Sequence, residues 1–383
     1  QRKSVGEFPE ADGFPSARPR TEESRSERGR AFGMFGAVVG ISTAVGPVLG
    51  GVILALFGDP DGWRWVFYVN VPIGVVAFGL AMKLLPRADR RKFRLRTEID
   101  FVGIVLLAVA VLGVLLPLVQ SERGGLGRLW WLFGVAIVFG TAFVWWEQRV
   151  TRRNRPPLLD IRLFTGTPGY ASGAAVGALY FCGFAGIWLV FALFFQQGLG
   201  YTPLQSGLAV TPFALSSAVT AAVAGRLVTR FGRRLTVTGL SIVALSLLSV
   251  ALVVQWVPPS AAGFAVAGPL LIGGIGGGMV ISPNTTLTLE CVPNRLAGVA
   301  GGALQTGQRI GTAIGTAVLA SVFESVVPAA GHQTALTAAM CCAAGLTLVA
   351  LAFATLELRA RRRRAILTED RQAAQSAANI HRT

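Results

Sequence analysis

Apolar runs of about twenty residues, each long enough to cross the hydrocarbon of a bilayer as a helix, recur along almost the whole of this 383-residue chain. Ten can be delimited, at 33–57, 65–85, 101–119, 130–147, 170–196, 204–225, 235–256, 264–289, 297–322 and 335–356. A backbone in lipid must satisfy its own hydrogen bonds, so runs of this length and spacing read as helices. The expected fold class is therefore all-α, a polytopic membrane protein of about ten transmembrane helices. A mean hydropathy of +0.58, with 52% apolar against 14% charged residues, agrees with bilayer residence and not with an ordinary soluble domain.

A net charge of +16 would in a soluble protein suggest a nucleic-acid partner. The placement of the charge argues otherwise. Seven Lys and Arg precede the first run, seven lie between Lys83 and Arg96, five between Arg149 and Arg162, four between Arg226 and Arg234, and seven follow the last run, with Arg295 on the same side. The alternate connections hold only Arg64, Arg123 and Arg128, and Arg309 stands inside a run. Such asymmetry is a topology signal that puts the basic side in the cytosol. It predicts a multi-pass protein of the plasma (inner) membrane with both termini cytosolic, no nucleic-acid partner, and Arg361 to Arg364 against anionic headgroups. The cysteines Cys182, Cys291, Cys341 and Cys342 show no metal or disulfide spacing, and neither His332 nor His381 falls within a run.

Residues 1–30 are charged and poor in branched apolar side chains, which predicts a disordered cytosolic segment. In the first run, small residues line one helix face from Gly40 through Gly46, Pro47, Gly50 and Gly51, a composition that lets a neighbouring helix approach closely and bends the axis at the proline. Trp63, Arg64, Trp65, Phe67, Tyr68, Asn70 and Pro72 then read as an interfacial belt at a helix start.

The order Gly46-Pro47-Val-Leu-Gly50-Gly51 resembles the antiporter motif in the fifth helix of drug:proton antiporters of the major facilitator superfamily. The stretch Trp63-Arg64-Trp65-Val-Phe67-Tyr68-Val-Asn70-Val-Pro72 is similar to the signature opening the sixth helix of fourteen-span EmrB/QacA-type exporters. Collinear matches follow at Asp100–Gly103, Pro157–Phe164 and Phe195–Gly207. The resemblance covers Glu27 to Arg359 and implies a partial major facilitator fold. Its divisions are the last two helices of the N-terminal bundle (31–86), two extra helices with cytosolic linkers (87–168), the C-terminal six-helix bundle (169–358) and a basic cytosolic tail (359–383).

The segment Gly225-Arg226-Leu-Val-Thr229-Arg230-Phe-Gly232-Arg233-Arg234 resembles the second-half copy of the family's cytosolic gating loop, with Thr229 where the family places Asp. Its glycines are expected to allow a tight turn and its arginines to pair with carboxylates and helix C-termini. The run Gly273-Gly-Ile-Gly276-Gly-Gly278 lacks the strand and the Lys-Ser/Thr of a phosphate loop, which leaves a closely packed or flexible helix. Gln305, Gln308 and Arg309 fall near mid-bilayer, where a charge must face protein or water. With Gln196, Gln197 and Asn284 they form the candidate substrate and coupling pathway.

All nineteen carboxylates lie in loops, tails or run ends, with Glu147, Glu290 and Glu324 nearest the core, so no coupling acid stands at mid-membrane. The family's first four helices, which would supply one, have no counterpart here, and an N-terminally truncated exporter is expected. The function implied is secondary export of amphipathic small molecules in exchange for protons, with the lipid bilayer and the substrate as partners and the proton gradient, no bound cofactor, as energy source. The alternative is a transport-incompetent membrane fragment with a structural or partner-binding role. No metalloprotease motif, paired intramembrane carboxylates or activated nucleophile points to an enzyme.

Overall fold

The computed structural model describes residues 48–58, 61–84, 100–120, 125–153, 157–293 and 296–380, with Met34, Val38, Ser42, Val45 and Gly46 as isolated helical positions. The N-terminal segment 1–30, most of the basic connection after Lys83, and Pro47 lie outside them. Every long element described is helical. In chain order they are α1 (Val48–Phe57), α2 (Gly62–Tyr68), α3 (Asn70–Leu84), α4 (Phe101–Val119), α5 (Gly125–Leu129), α6 (Trp131–Arg152), α7 (Arg162–Gly166), α8 (Tyr170–Leu193), α9 (Pro203–Phe231), α10 (Arg233–Trp256), α11 (Ala262–Leu289) and α12 (Ala297–Ile380).

Eight helices among the described residues are long and apolar enough to span a membrane, counting α2 and α3 as one and the 64 residues Ala297–Ala360 as another. At 1.5 Å per residue, 64 residues would stretch about 96 Å, far beyond one bilayer crossing. The stretch is not straight. Gly331, with φ 79°, leaves the helical region in its middle. Along α8, Gly177 meets Gln308 and Gly186 meets Leu319, so the leg before Gly331 runs parallel to α8; Gly183 meets Ala343 and Thr347, and Gly198 meets His332, so the second leg runs antiparallel. The separate runs 297–322 and 335–356 are thus joined by a single left-handed glycine, with helix on both sides. Pro328, three residues earlier, lacks the N–H that would reinforce the ladder. Beyond the apolar part, the same helix continues through the basic tail to Ile380.

The bundle core lies among α8 to α12. Tyr180, Phe191, Phe195, Phe213, Leu247 and Leu336 are all at most 2% exposed and belong to one contiguous cluster. Helices that can only gain packing in lipid approach most closely where side chains are absent. The glycine run of α11 is used in this way. A Cβ on Gly276 would lie 2.7 Å from the Gly239 carbonyl oxygen of α10, and one on Gly239 would lie 2.6 Å from the Gly276 oxygen. Gly273 and Gly274 are filled from α9 and α10 by Phe213, Ser216 and Ser246. Of the two sequence expectations for this run, close packing is the one the structure shows.

Local signals fix the helix starts. Thr202 and Gln205 close a reciprocal capping box at α9, with Pro203 in the first position. Pro72 is the third residue of α3, where its missing N–H leaves no helical bond unmade. Around it, Arg64 pairs with Asp61 at 2.7 Å, Trp65 stacks on Phe57, and Asn70 donates to the Val66 carbonyl at 3.3 Å. The α2–α3 span buries none of its apolar window against the other described helices.

Asp100 caps α4 by accepting from the Gly103 N–H at 2.9 Å, and Trp146 of α6 donates to both of its carboxylate oxygens at 2.9 Å. Asp100→Ala is expected to lower stability by about 1–2 kcal/mol, since both the cap and the inter-helix bond disappear, whereas Asp100→Asn retains most of both. Thermal unfolding of the detergent-solubilised protein, followed by tryptophan fluorescence, tests this. Equal midpoints for the Ala variant and the wild type would refute it.

Candidate functional site

The gating-loop expectation leads to the best-defined polar site. The loop is shorter than the sequence suggested: α9 runs through Gly225, Arg226 and Arg230, and Gly232, at φ 53°, is the only residue between α9 and α10. Gly225 is a buried helix position and does not form the turn. Thr229 bonds the Arg226 carbonyl of its own helix at 3.4 Å and takes no part in a charge network. Arg226, Arg230 and Arg234 are exposed, with Arg230 over the ring of Phe231.

Arg233 differs from these. As the first residue of α10 it is 3% exposed, and its guanidinium is held by Glu357, which is 8% exposed near the end of the apolar part of the second α12 leg. Nε donates to Glu357 Oε2 at 2.8 Å, Nη2 donates to the same oxygen, and Nη1 donates to Asn284 Oδ1. Asn284 passes the link on, because its Nδ2 donates to the Gly173 carbonyl of α8 at 3.0 Å. With its oxygen on a cation and its nitrogen on a carbonyl, the amide can be oriented only one way. Four helices are thereby tied at one end through a buried, charge-assisted network. A buried ion is tolerated only when paired and hydrogen-bonded, and this one is both.

Sequence reasoning placed Arg233 and Asn284 but missed Glu357. The signal was faint. Glu357 stands in Leu356-Glu357-Leu358-Arg359 at the edge of an apolar run, where a lone carboxylate reads as reaching for the interface. Glu147 shows the same limit: it lies at a run end as expected, yet it is fully buried against Gly103 of α4.

The pathway candidates divide. Asn284 Nδ2 and Gln308 Nε2 converge on α8, 3.2 and 3.3 Å from where a Cβ on Gly177 would stand. Gln305 is half-buried. Arg309 is exposed and shares a helical stripe with Gly302 and Thr306, away from the packed face of Leu304, Gln308, Gly311 and Gly315. Gln196 and Gln197 are exposed within a π-helical turn at the other end of α8. At the start of the chain's described helices, Gly46 and Gly50 have open space at the Cβ position, whereas Gly51 is buried and a Cβ there would lie 2.6 Å from Leu204 Cα. That glycine therefore sets the contact of α1 with the start of α9.

The described helices thus form an all-α bundle with several spans long and apolar enough to cross a membrane, tied at one end by a buried arginine clamp and with amides set over helix glycines. The chain belongs to the Major Facilitator Superfamily, whose model matches residues 23–316 and again 173–374. It is 33% identical over 293 residues to a probable actinorhodin transporter of Streptomyces coelicolor, covering 74% of this chain and 49% of that one. It is 32% identical over 291 residues to the tetracenomycin C resistance and export protein of Streptomyces glaucescens (74% and 51%), and 30% identical over 293 residues to the multidrug resistance protein Stp of Mycobacterium tuberculosis (75% and 51%). The chain spans about half the length of these curated relatives.

Proposed function

We propose that the chain is part of a secondary active exporter of the fourteen-span EmrB/QacA type, moving amphipathic small molecules out of the cell in exchange for protons. The observation that carries this reading is the family match from residue 23 to 374, shared with relatives whose names speak of transport, resistance and export. In this reading ten spans thread the inner membrane, both termini face the cytosol, and the clamped end of the bundle is the cytosolic one. The α12 face of Gly302, Thr306 and Arg309 borders the aqueous path, because an exposed guanidinium within a span needs water or protein beside it. Gln305 and Gln308 supply the neighbouring hydrogen-bonding groups, whereas the Asn284 amide is taken up by the clamp. Gly51 acts as the close-contact point between the α1 helix and the C-terminal bundle during alternating access.

Cells lacking their own exporters and expressing the exporter of which this chain is part, loaded with a fluorescent amphipathic cation, provide the test. The expected result is energised efflux that stops when a protonophore collapses the proton gradient and persists through ATP depletion while the gradient is maintained. Efflux that survives the protonophore, or that follows ATP, rejects the reading.

A further inference from the structure

A second basic cluster at the same end takes no part in the clamp. The last turns of α6 bring Arg149, Arg152 and Arg153 around a cavity of about 460 Å³, whose other walls are Trp145 and Gln148. The Arg149 guanidinium lies over the Trp145 ring, 5.4 Å from its centroid. None of the three arginines forms an ion pair with a described residue. The neighbouring carboxylates point elsewhere: Glu147 faces Gly103 on the α4 side, and Asp160 is held by two hydrogen bonds from the Arg162 side chain. Three positive charges thus converge with no counter-charge from the described chain.

The surface leading to them is apolar. Val138, Thr141 and Trp145 recur at helical spacing with Arg149 and Arg152, forming one stripe down α6. Val138 is 62% exposed and Trp145 59% exposed, on the side of α6 away from α4. Basic residues in a last turn complement the helix dipole, but that role needs neither a cavity nor an aromatic platform beneath it. An acidic peptide or a free anion would use the guanidinium groups and leave the stripe unused. A molecule with an anionic head and two hydrocarbon tails uses both.

We propose that this face of α6 is a binding site for one anionic phospholipid, with its phosphate against Arg149, Arg152 and Arg153 and its acyl chains along Val138 and Trp145. Arginine forks suit phosphate oxygens, and a tryptophan at headgroup depth suits the ester region. The site requires only that the chain sits in a bilayer, so it is independent of any export activity.

Native mass spectrometry of the purified full chain, titrated with phosphatidylglycerol or phosphatidylcholine, tests the proposal. One phosphatidylglycerol is expected to be retained in preference to phosphatidylcholine. The triple variant R149Q/R152Q/R153Q should weaken that binding about a hundredfold, taking roughly a fivefold effect per arginine near the headgroups. The triple lysine variant should retain much of it, and R226Q/R230Q should retain all of it. Should the triple glutamine variant fail to fold, R152Q alone is expected to show the roughly fivefold loss. Equal retention of the two lipids, or unchanged retention by the glutamine variants, overturns the proposal. So does displacement of the lipid by millimolar inorganic phosphate, which would mark a free-anion site. Lipid occupancy is read without transport, so these outcomes leave the export reading untouched.

Discussion

Glu357→Ala is expected to destabilise the bundle by about 3–5 kcal/mol, because it leaves the Arg233 guanidinium buried without its carboxylate. The prediction follows from geometry: Arg233 is 3% exposed, and two of its nitrogens reach the one Glu357 oxygen. Asn284 offers Arg233 a neutral acceptor, which cannot replace a charge. Removing both charges together is a different experiment. The double variant Arg233→Met, Glu357→Leu should recover most of the loss, since the expense lies in the orphaned ion more than in the absent pair. Thermal midpoints of the three proteins in one detergent decide the matter. A single variant as stable as the wild type, or a double variant no better than Glu357→Ala, would show that the clamp is not buried as described.

Gly315→Val is expected to be the second large effect, at about 3 kcal/mol, near the upper end for overpacking. Gly315 of α12 faces the Cys182 carbonyl of α8, and Gly186 of α8 in turn faces the Gly315 carbonyl, so added side-chain atoms meet backbone that cannot rotate away. The helices would have to separate along the seam where Gly311 also touches Ala178. The same helix carries its own control. Gly302 has open space where its Cβ would be, so Gly302→Ala should leave stability unchanged or raise it by about 0.5–1 kcal/mol through helix propensity. Unfolding in mixed micelles of rising SDS content would separate the two. Similar midpoints for both variants would mean that α8 and α12 do not pack through these glycines.

The contrast between Gly302 and Gly315 marks a boundary of what sequence can tell. Both lie in one small-residue-rich helix, and nothing local separates them; only the position of α8 makes one indispensable and the other free. The resemblance to the drug exporters rested on Gly46 to Gly51 and Trp63 to Pro72, but of these glycines Gly51 alone meets another helix closely, while Gly46 and Gly50 have open space at the Cβ position. The turn between α9 and α10 was legible in part: Gly232 makes it, but Gly225, Arg226 and Arg230 stay on α9, since one residue of positive φ suffices to reverse the chain.

Hydropathy acts residue by residue against the solvent, so the sequence alone determined that this chain forms long apolar helices. Ion pairing and helix contact act between residues far apart in the chain. Arg233 and Glu357 are 124 positions apart, and Asn284 and Gly173 are 111 apart. Only the tertiary structure could decide that the clamp forms through Glu357, that the turn between the last two runs is made at Gly331 with helix on both sides, and that α6 leaves three arginines facing outward beside a tryptophan.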